Sequence, residues 1–171
     1  MGGDAGSWVG SEHDQLLRFL NKVRDAVVRA SEGLYDDQQR IAGVPSGTNL
    51  LGLVQHLTWA EEHWFQCVFL GEEPSDHRLA DGQPWYSSVS MRVPGNLTRD
   101  DVVAAYRNAC ARSDDIVHGC SDLSTLAQIP NPGQERRASL RMIVAHMIEE
   151  TGRHAGHADI LREQIDGATD L

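Results

Sequence analysis

The sequence predicts an all-α fold, a four-helix bundle. Three observations predict it: four stretches carry apolar residues at helical spacing, two of them follow capping-box signatures, and no convincing strand or internal repeat interrupts them. Two long connections point to crossovers in place of a simple up-down-up-down order. Residues 1–10, MGGDAGSWVG, read as a flexible tail, and residues 11–171 as a single bundle domain.

The first helix is expected from Ser11, because Ser11 and Asp14 form a capping box with Asp in place of Glu. Leu16, Leu17, Leu20, Val23 and Val27 make its core face, and Ser31 to Gly33 closes it. A polar connection ending in Pro45-Ser46-Gly47-Thr48 leads to a second helix, from about Thr48 to Leu70, stopped by Gly71. Its apolar positions, among them Leu50, Leu51, Leu53, Val54, Leu57, Trp64, Phe65 and Val68, cover more than one stripe, so deep burial is expected. His56 sits in the middle of this apolar helix.

Residues 71–97 contain Gly71, Pro74, Gly82, Pro84, Pro94 and Gly95 and keep no helical period. A connection this long crosses a bundle or covers a site, and Trp85 and Tyr86 are its candidate anchors. The third helix is expected from Thr98, with Asp101 completing a second capping box, to about Cys120. A loop over 121–138 turns at Pro130-Asn-Pro-Gly133. The fourth helix runs from Ser139 to about Asp166 and ends at Gly167, with Leu140, Ile143, Val144, Met147, Thr151, Ala158, Leu161 and Ile165 inward.

Composition narrows the function classes. The net charge of −10 argues against a nucleic-acid surface, which needs clustered Lys and Arg. No apolar run approaches the roughly 20 residues of a membrane span, and the first ten residues do not read as a signal peptide. Cys67, Cys110 and Cys120 are odd in number and form no CxxC, so buried thiols in a reducing cytoplasm are expected. No Ser or Cys occupies a nucleophile elbow, and no Gly-rich phosphate loop precedes a helix.

The chemistry concentrates in Glu150-Thr-Gly-Arg-His154-Ala-Gly-His157. At about 100° per residue, Glu150, His154 and His157 fall within roughly 60° of one another on one helix face. With Glu150 as zero, the core face centres at roughly +65°, His154 at about +40°, His157 at about −20° and His146 at about −40°. His154 is therefore the most inward. An inward carboxylate needs a partner, which a metal, an Arg or a Glu–His hydrogen bond would supply. Spacing alone leaves the metal and the hydrogen-bonded pair both open; His56, a second polar group inside an apolar helix, is the candidate that joins the stripe from a facing helix. His63, two turns after His56, reads either as a supporting partner or as a surface residue.

Asn49-Leu-Leu-Gly-Leu-Val-Gln-His56-Leu, Glu62-His-Trp-Phe65, Ser139-Leu-Arg-Met and the stretch from His146 through Glu150, His154 and His157 to Gly167 together resemble the DinB/YfiT-like superfamily, in its mycothiol-dependent S-transferase branch. The likeness spans about Ser11 to Gly167. It implies a four-helix bundle of up-down-down-up order and a divalent metal held by His56, Glu150 and His154. Many relatives have His where this chain has Glu150, whereas the mycothiol-using maleylpyruvate isomerases have Glu. His157 stands where many relatives have Gln, which leaves it as fourth ligand or pocket wall.

The resemblance further implies a cytoplasmic detoxification enzyme that joins a low-molecular-weight thiol, mycothiol, to an electrophilic small molecule. Zinc is the expected metal, with nickel, iron or manganese as alternatives, because mixed N/O ligands select poorly. Arg153 and Arg141 are candidates for holding anionic groups of thiol or substrate. Since related proteins are often dimers, a homodimer is expected; neither nucleic acid nor membrane is an expected partner. The alternatives are a metal- and thiol-dependent cis–trans isomerase on the same site, a non-haem iron enzyme, and a non-catalytic metal-binding bundle.

Overall fold

Capping chemistry decides where the helices begin. The computed structural model describes residues 10–73 and 91–169. In it α1 spans Glu12–Ala30. The Ser11 hydroxyl accepts the Asp14 N–H at 3.1 Å, and the Asp14 carboxylate accepts the Ser11 N–H at 3.2 Å, so two otherwise orphaned donors are satisfied. A short helix, α2 (Asp36–Gln39), follows in the polar connection. α3 (Leu50–Glu61) is capped by the Asn49 side chain, which accepts the Gly52 N–H at 2.8 Å. It continues into a π-helical stretch, Glu62–Phe69, and the chain then leaves through Gly71 at φ 69°. α4 (Arg99–Gly119) opens on the Thr98–Asp101 capping box, and α5 (Leu140–Asp166) runs from Ser139 to Gly167 at φ 78°.

Among the described residues there is no strand, only an isolated bridge between Leu126 and Ser139. No described helix is long and apolar enough to cross a membrane. Residues 1–9, expected as part of a tail, and 74–90, with the candidate anchors Trp85 and Tyr86, lie outside the described residues.

Side-chain pairs fix the directions of the long helices. Arg141 meets Glu12 at 2.6 Å, and Arg162 Nη1 donates to the Ala30 carbonyl at 3.1 Å; start meets start and end meets end, so α1 and α5 are parallel. Ala30 clusters with Leu50 and Leu53, whereas Leu17 and Leu20 cluster with Phe65 and Val68, so α3 runs against α1. Arg99 reaches Ser31 and His13 reaches the Cys120 carbonyl, which sets α4 against α1 as well. The order is up-down-down-up, and the long segment between α3 and α4 returns the chain so that both can point down.

α3 is the central element, with Leu50, Leu51, Leu53, Val54 and Leu57 at or below 1% exposure. Each such burial contributes roughly 1.5–3 kcal/mol of transfer free energy. Position 52 takes glycine because the chain at Met91 passes over it: a Cβ there would lie 2.5 Å from the Met91 carbonyl oxygen. The 121–138 loop closes the far end of the bundle. Gln128 N–H donates to the Phe69 carbonyl at 2.9 Å and Ile129 N–H to the Val68 carbonyl at 3.3 Å, which satisfies carbonyls that the π stretch leaves over.

Two features were not anticipated from sequence. Arg24 and Glu61, 1% and 0% exposed, form a bidentate ion pair at 2.8 and 2.6 Å inside the bundle, and Arg24 Nη1 also reaches Asn21 and Asp114. The switch to π winding begins immediately after Glu61. Cys67 and Cys110 are buried and Cys120 is half-buried, all as free thiols. Burial, reinforced by the Glu61 charge, pushes the Cys110 thiol up to about 12.

Candidate metal centre

α3 and α5 face each other where His56, Glu150 and His154 meet. Glu150 and His154 stand one turn apart on α5, so a rigid backbone sets their separation. Glu150 Oε1 lies 3.1 Å from His154 Nε2 and 3.4 Å from His56 Nε2. The two imidazole rings are 4.9 Å apart at 72°, and one donor atom from each of the three residues lies within 4.8 Å of the others. Their side chains are 12–18% exposed, inside the groove yet reachable from outside.

The electrostatics follow from this convergence. Hydrogen bonding from His154, and next from His56, holds the Glu150 carboxyl well below the usual carboxylate range, against the opposing effect of burial. Glu150 Oε2 is turned the other way and accepts Arg153 Nη1 at 3.2 Å. One oxygen therefore serves the two imidazoles and the other serves the guanidinium.

The donor set fits a divalent ion. Ligands about 2.0–2.1 Å from a tetrahedral centre stand about 3.3–3.4 Å apart; the two separations from Glu150 Oε1, 3.1 and 3.4 Å, are of that size, and the whole set lies within 4.8 Å. One carboxylate and two imidazoles also form the three-ligand set that leaves a coordination position for water or substrate.

The other sequence candidates take separate places. His157 is exposed, and its Nδ1 lies 3.3 Å from Nδ1 of His154, on the ring edge opposite the Nε2 that meets Glu150. It also lines a cavity of about 310 Å³ with Val44, Ser46, Thr48, Ile160, Leu161 and Gln164. Arg153, about half exposed, is shared between Glu149 and Glu150. Arg141 is bound by Glu12 and stands nine residues, about 13–14 Å of helix, before Glu150. His146 packs against Trp64, with ring centroids 4.5 Å apart and planes tilted by 57°.

His63 stands at the start of the π stretch, and its Nε2 lies 2.8 Å from Asn131 Oδ1 on the 121–138 loop. Burial, partly offset by that bond, lowers the His63 pKa. His63 thus partners Asn131, and no local signal in the sequence marks the change of winding beside it.

A family model described as mycothiol-S-transferase matches residues 15–167 of this chain. Comparison with curated proteins gives no match. Among solved structures, a conserved protein from Enterococcus faecalis superposes with a TM-score of 0.68 at 10% identity, covering 94% of this chain and 100% of its own. YfiT from Bacillus subtilis, described as a probable metal-dependent hydrolase with an unusual four-helix bundle topology, superposes with a TM-score of 0.67 at 15% identity, covering 98% of this chain and 95% of its own. At such identities the two structures speak for the fold alone.

Proposed function

The chain belongs to the mycothiol-S-transferase family, and from that premise we propose that it is a metal-dependent enzyme joining a low-molecular-weight thiol to an electrophilic small molecule. The observation that carries this reading is the convergence of His56, Glu150 and His154 from two helices within 4.8 Å. These three residues would hold the ion, with zinc as the expected metal and nickel, iron or manganese as substitutes. Mycothiol is the thiol that the family name supplies.

A bound zinc ion supplies the Lewis acidity that makes a coordinated thiol ionise near neutral pH. The remaining work belongs to the chain. Arg153 keeps Glu150 Oε2 occupied, so the carboxylate presents Oε1 toward the two imidazoles. Before a metal binds, hydrogen bonds from His154 and His56 keep Glu150 ionised, so the oxygen that would face the ion already carries its charge in the neutral range. Helix α3 brings His56 in from a wall of Leu53, Leu57 and Ala60, which limits water on that side.

The same donors would also activate water, and YfiT carries the description of a probable metal-dependent hydrolase. Thiol transfer is preferred because the family match covers residues 15–167.

The test begins with elemental analysis of full-length protein never exposed to chelators. About one equivalent of divalent metal per chain is expected from three converging ligands, and its loss in His154→Ala. Mycothiol and a panel of test electrophiles then report conjugation against the rate with thiol alone. Metal-loaded protein that gives no rate above thiol alone across the panel overturns the transferase reading. Protein that carries no metal overturns the site.

A further inference from the structure

His154 is engaged at both ring nitrogens. Nε2 lies 3.1 Å from Glu150 Oε1, and Nδ1 lies 3.3 Å from Nδ1 of His157. The two rings meet edge to face, with centroids 5.3 Å apart and planes at 65°. Both residues stand on α5, three positions apart, so the helix itself sets the contact.

A neutral imidazole has one donor nitrogen and one acceptor nitrogen. To offer the Nε2 lone pair to a metal, His154 must carry its proton on Nδ1. A proton there calls for an acceptor, and His157 Nδ1 is the atom placed to receive it. We propose that His157 is a positioning residue for His154: when Nε2 gives its lone pair to a metal in place of its hydrogen bond to Glu150, the Nδ1 of His157 accepts the Nδ1–H of His154, which selects that tautomer and holds the ring against rotation. This inference rests on the metal site proposed above.

In this role His157 is not a fourth ligand. The three converging donors are those of His56, Glu150 and His154, and His157 Nδ1 meets the Nδ1 of His154, not the Nε2 that joins them. The cavity beside it, walled by Val44, Ile160 and Gln164, leaves space for other side chains at position 157.

The assay titrates full-length, metal-free protein with Co²⁺, reading the visible ligand-field bands and the affinity against a chromophoric chelator. His157→Leu removes the acceptor; His157→Gln keeps one in the carboxamide oxygen. Loss of such an outer partner lowers metal affinity by about 10–100-fold, so His157→Leu should weaken Co²⁺ binding by that factor and alter the bands. His157→Gln should stay within about threefold of the parent, since it restores the acceptor on which the effect depends. Unchanged urea midpoints in both variants would show that the difference is not one of folding. If His157→Leu binds Co²⁺ as tightly as the parent with the same bands, the positioning role falls while the metal site stands. If Gln weakens binding as much as Leu, the acceptor argument falls. If the parent binds no Co²⁺, the site and this inference fall together.

Discussion

Replacing Glu61 by Leu should be among the most damaging single changes outside the metal site. Arg24 is 1% exposed and makes four hydrogen bonds, two of them to the Glu61 carboxylate at 2.8 and 2.6 Å. Without Glu61 the guanidinium keeps Asn21 and Asp114 on Nη1 but loses its partners at Nε and Nη2. Breaking one side of a buried pair costs about 3–5 kcal/mol, and the surviving Asp114 contact favours the lower end. For a domain of this size about 1 kcal/mol moves the melting temperature by roughly 2–4 °C, so a fall of about 6–12 °C is expected. The double variant Arg24→Met, Glu61→Leu should recover most or all of that loss, because a well-packed apolar pair at such a site is often neutral or stabilising. Asp114, 27% exposed, can turn to water. Urea unfolding followed by circular dichroism gives the cycle, with equal slopes required for comparison. A Glu61→Leu variant within about 1 kcal/mol of the parent would refute the reasoning, since that is far below the buried-pair range. So would a double variant as weak as the single.

Two further outcomes follow from local geometry. Gly52→Ala sets a methyl 2.5 Å from the Met91 carbonyl oxygen and 2.8 Å from its Cα, so the passing backbone must move. Overpacking of about 1–3 kcal/mol should exceed the roughly 0.5–1 kcal/mol gained in helix propensity; a variant that unfolds at higher urea than the parent would show that the approach is slack. In acid, the capping carboxyls of Asp14 and Asp101 lie below the ordinary aspartate range, because Ser11 and Thr98 donate to them. Their contribution is complete above the unfolded value of about 4 and is lost as pH falls through the lower native values. The urea midpoint should therefore drop from pH 6 to pH 3, and by less in Asp14→Asn, Asp101→Asn; an equal drop in that variant would assign acid sensitivity elsewhere.

What was legible in the chain is what a single helix encodes. Ser11, Thr98, Ser139 and Gly167 mark helix ends because caps act within three or four residues, and they stand at the observed boundaries. Glu150 and His154 could be paired from spacing because one turn of α5 separates them. Their meeting with His56 crosses 94 residues of chain, and there resemblance carried more than periodicity did. Arg24 gave no sign of burial, since its partner lies 37 residues away and the adjacent Val23 and Val27 already defined a core stripe. The π stretch was equally silent: Glu62–Phe69 keeps apolar positions that suit an α-helix.

The bundle thus carries charge on two faces of α3, and the two sets differ in kind. Glu61 follows His56 by five residues, about 140° around the helix, so neither set bears on the other. Around Glu61 the ionic groups complete one another: both carboxylate oxygens are taken by one guanidinium, and that guanidinium is spanned further by Asn21 and Asp114. Such an arrangement has little capacity left for a ligand. Around Glu150 a single oxygen is shared by two imidazoles at 3.1 and 3.4 Å, within a groove that solvent reaches. Two imidazoles converging on one carboxylate oxygen form a set that a cation of suitable size could take over, since each imidazole would then contribute a lone pair and the oxygen a charge. A closed ion pair explains stability and a convergent open one invites chemistry, which is why the buried Arg24–Glu61 pair, though deeper, is not the candidate site.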